Sequence, residues 1–310
     1  MIDLHYDLLT DIYCHIQNGT IEKLIEQYND THDDIQGGIF SLYFMSPQEM
    51  KDELSIDENE IQVTLLLKTV LPYLRFFNGH QNFLLTIEGC DYLEIDDLEE
   101  LYELGIRSLL PCWNNPNQYG SGNRDTYGLT AKGYELVRKA VTMGMAIDLA
   151  HTNEKTFFDI VSYAASLKTE GFDPILFVSH ANVRELCHTL RNLSNTQLDA
   201  LKELDTVIGL MPHTHFVNEQ MDHGTKEEFV QHIQYLRDYF GNVSHIAIGT
   251  DNMDTCIDPE FQQRMIFPIN QIKEELTQYL EEADYTPQEI QAILFDNGKR
   301  ILDKIRMKKS

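Results

Sequence analysis

Eight short apolar or β-branched runs, most of them separated by stretches with helical spacing, constrain the fold of this chain more than any other feature. They cover residues 2–7, 38–45, 82–88, 105–113, 145–151, 174–180, 206–213 and 245–251. Several are almost uninterrupted: Phe83-Leu84-Leu85-Thr86-Ile87, Ile175-Leu176-Phe177-Val178 and Val207-Ile208-Gly209-Leu210-Met211. Such runs suit parallel strands buried on both faces. Between them, 61–77 carries Ile61, Leu65, Leu66, Val70, Leu71, Leu74 and Phe77 at helical spacing. Residues 131–143, 157–167, 198–204, 226–239, 268–280 and 287–305 read the same way, with Thr130 as an N-cap and Pro287 in a first turn after Thr286.

Strands alternating with helices imply a parallel sheet, and eight of them within 310 residues fit a closed (β/α)8 barrel of the TIM type. The competing doubly wound open sheet lacks support, because no Gly-x-Gly-x-x-Gly turn follows any of the runs. There is no internal repeat. The expected organisation is a single catalytic barrel domain spanning 1–310, with a long active-site loop near 114–128 and a solvated basic helix end at 304–309.

The charge balance removes several functions. With 24 Lys and Arg against 50 Asp and Glu, the formal net charge is −26, which repels phosphate backbones and anionic lipid. No apolar run approaches the roughly 18–20 residues of a membrane-crossing helix. Cys14, Cys90, Cys112, Cys187 and Cys256 show no Cys-x-x-Cys pair and an odd total. Reduced thiols and a cytoplasmic setting are expected, also because the opening residues lack the basic and apolar regions of a signal peptide.

The runs end in polar residues. The first gives His5-Tyr6-Asp7, whose alternation lets an imidazole and a carboxylate grip one ion. The third ends at Glu88, a carboxylate that is costly at the end of a buried strand unless paired or bound to metal. The fifth and sixth end at His151 and His180, and the eighth at Asp251. In a barrel the segments after the strands open on one face, so these scattered residues converge. Three histidines with two or three carboxylates suit zinc or a similar divalent ion. Five ligands, one of them bridging, would hold two metals with a hydroxide between them, leaving Asp251 to take and return the proton. A rival ligand set is His213-Thr214-His215, although Pro212 and a position beyond the strand end favour substrate contact or loop solvation. His15, His32, His80, His188, His223, His232 and His245 read as surface or structural residues.

In this order, these residues resemble the membrane dipeptidase (renal dipeptidase) family, the M19 metallopeptidases, in a bacterial-type form. Thr86-Ile87-Glu88-Gly89, Gly105-Ile106-Arg107, Leu129-Thr130-Ala131-Lys132-Gly133, Ile147-Asp148-Leu149-Ala150-His151, Val178-Ser179-His180-Ala181-Asn182, Leu190-Arg191-Asn192-Leu193 and Ile248-Gly249-Thr250-Asp251 carry the resemblance. It implies a (β/α)8 barrel with two zinc ions: His5 and Asp7 on one, His151 and His180 on the other, Glu88 bridging. Asp251 matches an aspartate that shuttles the proton and meets the substrate amine. Arg191 matches an arginine that receives the terminal carboxylate, a fit for a guanidinium fork. The chain departs from the mammalian pattern at Pro111-Cys112-Trp113-Asn114-Asn115, where Trp113 stands in place of a histidine that polarises the scissile carbonyl. An indole donates a hydrogen bond but cannot become cationic. The polar C-terminal end also gives no lipid-anchor signal.

The function expected is hydrolysis of dipeptides, some with a D-residue at the C-terminal side, by a binuclear zinc centre. Its alternatives are a related amidohydrolase acting on N-acyl amino acids, lactams or other small amides, and a non-catalytic metal-binding barrel. Relatives of this family are often homodimers, and no partner beyond the small substrate is implied.

Overall fold

A computed structural model describes residues 1–44, 61–220, 223–253 and 260–308. Its eight strands are β1 (Ile2–Tyr6), β2 (Gly37–Tyr43), β3 (Phe83–Glu88), β4 (Ile106–Leu110), β5 (Ala146–Asp148), β6 (Leu176–Phe177), β7 (Ile208–Leu210) and β8 (Ile246–Ile248). All pair in parallel, in the order β6-β5-β4-β3-β2-β1-β8-β7. A parallel bridge between Val178 and Ile208 joins the two ends, with Gly209 N–H donating to the Val178 carbonyl at 2.8 Å. The ring is a (β/α)8 barrel.

Helices lie between the strands as the periodicity predicts, at Val63–Leu74, Ala131–Thr142, Glu154–Thr169, Asn195–Lys202 and Lys226–Phe240, and Ile272–Glu282 follows β8. The Thr130 side chain caps Gly133 N–H, and Thr286 with Glu289 forms a capping box ahead of Pro287. The helical run from Pro287 is not uniform: residues Ala292–Asp296 widen into a π-helical turn before Asn297–Met307. Leu8–Gln17, Ile21–Thr31 and Leu98–Glu103 are further helices that the periodicity did not separate from their surroundings. The strands are shorter than the apolar runs, because the chain leaves the ladder before the apolar residues end.

Two apolar clusters form the core. The larger fills the space between strands and helices. The smaller draws Ile2, Leu4, Ile39, Leu84, Phe177 and Ala247 from around the ring, so these side chains meet inside the barrel; Ile301, Leu302 and Ile305 of the last helix join them. Cys14, Cys90, Cys112 and Cys187 are buried thiols, and Cys256 and Lys309 lie outside the described residues. The basic C-terminal end is not merely solvated. Lys304 pairs with Asp205 at 3.1 Å and Lys308 with Asp173, which tie the last helix to the turns entering β7 and β6. No helix among the described residues is long and apolar enough to cross a membrane.

Two glycines set how closely the last strands approach the sixth. A Cβ on Gly209 or on Gly249 would lie 1.8 Å from the carbonyl oxygen of Ser179, next to His180. Gly249→Ala is therefore expected to destabilise the fold by about 1–3 kcal/mol, read as a lower urea midpoint with an unchanged slope. An unaltered midpoint would contradict this packing.

Candidate metal centre

The polar strand ends are held by backbone that departs from the ladder. His5 lies within β1, whose register against β2 shifts between Asp3 and Tyr6. Asp7 follows that strand, Glu88 is the last residue of β3, and His151, His180 and Asp251 each stand three residues beyond β5, β6 and β8. His151 and Asp251 adopt left-handed backbone, with φ of 62° and 56°. For residues other than glycine this costs about 1–2 kcal/mol each, and such strain is characteristic of functional sites.

Glu88 sits at the middle. Its Oε2 lies 2.6 Å from His5 Nε2 and accepts a hydrogen bond from Ser41 Oγ at 3.3 Å. Its Oε1 faces the other histidines, 3.1 Å from His151 Nε2 and 3.8 Å from His180 Nε2. His5 Nε2 is also 3.6 Å from Asp7 Oδ1 and 3.8 Å from Asp251 Oδ1, and His180 Nε2 is 3.5 Å from Asp251 Oδ1. All of these side chains are buried except Asp251, which is 19% exposed and opens to the mouth. Among the described residues, ligand atoms of His5, Glu88, His180 and Asp251 lie within 4.8 Å of one another, as a metal-holding group requires. Asp7 and His151 stand just outside that set, in contact with His5 and His180.

The donor chemistry fits cations. The Nε2 atoms of His151 and His180 approach to 2.9 Å. Their Nδ1 atoms are engaged by Asn114 Oδ1 at 2.9 Å and Ser179 Oγ at 2.7 Å. An amide oxygen only accepts, so His151 carries its proton on Nδ1 and turns a lone pair on Nε2 toward the centre. Asp7 Oδ1 is buried with no hydrogen-bond partner, a costly condition that a cation relieves. Burial, then the charge of Arg191, takes His151 down to about 3. Burial, with His5 and Arg191, also holds His180 well below its ordinary value. Both are thus neutral electron-pair donors at pH 7. Burial lowers His5 too, but Glu88 and Asp7 outweigh it and hold the ring well above the usual range. Burial, with Glu88, raises Asp7 to about 6. Glu88 is pushed up by burial, but His5 and His151 overcome this and keep it ionised.

Arg191 is buried on the segment after β6, and its Nη2 donates to the His180 carbonyl at 2.7 Å. That segment is anchored by Asn192, whose amide donates to Cys187 and Phe216 carbonyls at 3.1 and 2.9 Å. His232 holds it as well, accepting from Val183 N–H at 3.0 Å. Trp113 is half-buried, its ring 5.9 Å from that of His151 and edge-on to Tyr43 at 5.0 Å. His213 and His215 are not among the grouped donors: His213 Nδ1 accepts from His215 N–H at 3.3 Å, and His213 bridges to Met265. Sequence reasoning did not single out Asn114, Ser179, Asp3 or Asp148, although the last two, carboxylates inside apolar runs, were visible anomalies.

The strand ends of this barrel gather imidazoles and carboxylates about one point, a donor set suited to a divalent cation. Residues 2–310 match the model of the family described as membrane dipeptidase (Peptidase family M19), and the chain belongs to that family. A Klebsiella pneumoniae protein described as an uncharacterized protein in the pqqA 5' region is 34% identical over 166 residues, 50% of this chain and 58% of its own length. An uncharacterized dipeptidase of Schizosaccharomyces pombe is 26% identical over 57% of this chain and 42% of its own. The chain thus spans about half the length of the curated relatives it matches. Among solved structures, an M19 metallopeptidase named dipeptidase AC superposes with a TM-score of 0.75 at 20% identity, over 98% of both chains. A Rhodobacter sphaeroides metallopeptidase, solved with a phosphinate mimic of L-Ala-D-Ala, gives 0.75 at 21% identity, also over 98% of both.

Glu88 and Asp7 raise the proton affinity of His5, so a divalent ion at its Nε2 competes with a proton there, whereas His151 and His180 are shifted the other way. Zinc titrated into chelator-treated protein at pH 7 is expected to release protons, and apparent affinity should fall as pH drops. Calorimetry in two buffers of different protonation enthalpy reads this directly. Identical heats would contradict a protonated His5 at the ion's place.

Proposed function

We propose that this protein is a dipeptidase whose centre takes two divalent ions, zinc by the chemistry of its donors, with the 310 residues acting as one catalytic domain. His5 and Asp7 would hold one ion and His151 and His180 the other, with Glu88 shared between them. The observation that carries this reading is the division of Glu88: one carboxylate oxygen at 2.6 Å from His5, the other at 3.1 and 3.8 Å from His151 and His180. When bound, such a pair supplies Lewis-acid polarisation of a carbonyl and a water acidic enough to attack at neutral pH.

The chain's own residues account for the rest. Arg191 spends one N–H on the His180 carbonyl and has four more for a substrate carboxylate. It is a buried positive charge in a protein of net charge −26, so anion capture here is local. Asp251 is lifted well above the ordinary carboxylate range by burial, aided by Asp7 and Glu88 and opposed by His5 and Arg191. A carboxyl so placed accepts a proton from the attacking water and hands it to the leaving amine. Holding the carboxylate at Arg191 and the amine near Asp251 would limit the substrate to about two residues, since both of its ends are read. Trp113 forms the wall beside His151 and offers an indole N–H, not a cation, to the substrate. Support for a D-residue at the C-terminal side comes from the L-Ala-D-Ala mimic in the R. sphaeroides relative.

A second reading keeps the metal chemistry and changes the substrate to N-acyl amino acids, lactams or other small amides. Trp113, which cannot supply the charge of a histidine, is the observation that favours it; a non-catalytic metal barrel has the same support. The zinc-loaded protein assayed on L-Ala-L-Ala, L-Ala-D-Ala and N-acetylalanine separates these: turnover of the dipeptides is expected, and acetylalanine cleavage alone would replace the first reading with the second.

Asp251→Asn is expected to retain both ions while turnover falls by at least about a hundredfold; equal turnover would remove Asp251 from proton transfer. Arg191→Met should raise KM for free dipeptides about tenfold or more, the loss expected for a charge-assisted hydrogen bond, and leave C-terminally amidated dipeptides unaffected. A uniform loss on both would contradict carboxylate capture.

A further inference from the structure

Two fully buried aspartates, Asp3 and Asp148, accept the same pair of backbone hydrogen bonds beneath the candidate centre. Asp3 Oδ1 accepts from the N–H of His5, two residues on, at 3.2 Å, and from the N–H of Thr250 at 2.8 Å. Its Oδ2 accepts from the Thr250 hydroxyl at 2.5 Å. Asp148 Oδ1 accepts from the N–H of Ala150, again two residues on, at 3.0 Å, and from the N–H of Ser179 at 3.0 Å. In each case the carboxylate ties its own strand to a neighbour in the ring, β1 to β8 and β5 to β6. The peptide it grips on the neighbour comes immediately before a polar strand-end residue: Thr250 before Asp251, Ser179 before His180. On its own strand it grips His5 itself, or Ala150 immediately before His151.

The turns these bonds make explain the local backbone. An aspartate side chain that accepts the N–H two residues later replaces a ladder bond and bends the strand. That coincides with the register shift after Asp3 and with the left-handed residues His151 and Asp251. Neither carboxylate is ion-paired with a lysine or arginine among the described residues, and Asp148 Oδ2 is buried with no hydrogen-bond partner. Burying two carboxylates with no lysine or arginine bonded to them is expensive; burial raises both, and the nearby charge of His5, with Arg191 for Asp148, only partly opposes it. Asparagine would keep the one oxygen that accepts the two N–H groups at each site, so those backbone bonds by themselves do not call for a charge.

We propose that Asp3 and Asp148 are positioning residues that act as two separate charged clamps. Asp3 sets the His5 and Asp251 edge of the centre, Asp148 sets the His151 and His180 edge, and the negative charge of each strengthens retention of the ion on its own edge. The inference rests on the two-ion reading given above.

The test compares the parent with Asp3→Asn and Asp148→Asn, which keep an acceptor oxygen and remove the charge. Zinc and cobalt stoichiometry and affinity are measured by competition with a chromophoric chelator, the cobalt absorption bands are recorded, and thermal unfolding of the ion-free proteins is followed. Each variant is expected to unfold within a few degrees of the parent when ion-free and to lose affinity for one ion by about tenfold or more. The cobalt band that weakens should differ between the two variants. If both variants bind two ions with parental affinity, the clamps are only scaffolding and the proposal is overturned. Simultaneous, equal weakening of both ions in each variant overturns the division into separate edges. A parent that binds fewer than two ions contradicts the two-ion reading, a result distinct from either. Should an asparagine variant fail to fold, Thr250→Val, which removes the hydroxyl bond to Asp3 together with those to the His5 carbonyl and the Asn252 N–H, and Ser179→Ala, which removes the hydroxyl at His180 Nδ1, test the same two edges on the same readouts.

Discussion

The structure depends on one carboxylate set among three imidazoles. Glu88 brings a negative charge to the end of a buried strand, a placement that only cations or strong hydrogen-bond donors make tolerable. Its two oxygens face different strands, β1 on one side and the ends of β5 and β6 on the other. To put those side chains within reach, the ring of strands must close, since His5 and His180 come from positions on opposite sides of the gap between β7 and β6. The Val178 to Ile208 bridge and the bare backbones of Gly209 and Gly249 make that closure tight.

Electrostatics then separates the roles of similar residues. Burial and nearby positive charge lower His151 and His180, while Glu88 and Asp7 raise His5 against its burial. Asp251 and Glu88 diverge the same way: burial with Asp7 and Glu88 pushes the first up, while His5 and His151 hold the second ionised. The divergence follows from which charges stand beside each group once burial has removed water from all of them.

Much of this was legible in the sequence. The barrel followed from eight apolar runs with helices between them, and the convergence of His5, Asp7, Glu88, His151, His180 and Asp251 followed from the barrel. The strand limits were less legible, because apolar residues continue past the ladder: Leu149 and Ala150 are as buried as the strand they follow, yet the backbone has already turned toward His151. The helix Leu8–Gln17 begins directly after Asp7 with no side-chain cap, so no boundary signal marks it. Arg191 was visible only through the family resemblance, since it sits in an irregular segment whose course is set by distant partners such as Phe216 and His232. The basic end at 304–308 read as solvated because Asp173 and Asp205, its partners, lie about a hundred or more residues earlier in the chain.

Anomalous diffraction at the zinc edge, from crystals of the zinc-loaded protein, tests the central claim most directly. Two peaks are expected, one beside each oxygen of Glu88, the first against His5 and Asp7 and the second against His151 and His180. A single peak, or peaks away from Glu88, would contradict a shared carboxylate and the two-ion chemistry built on it.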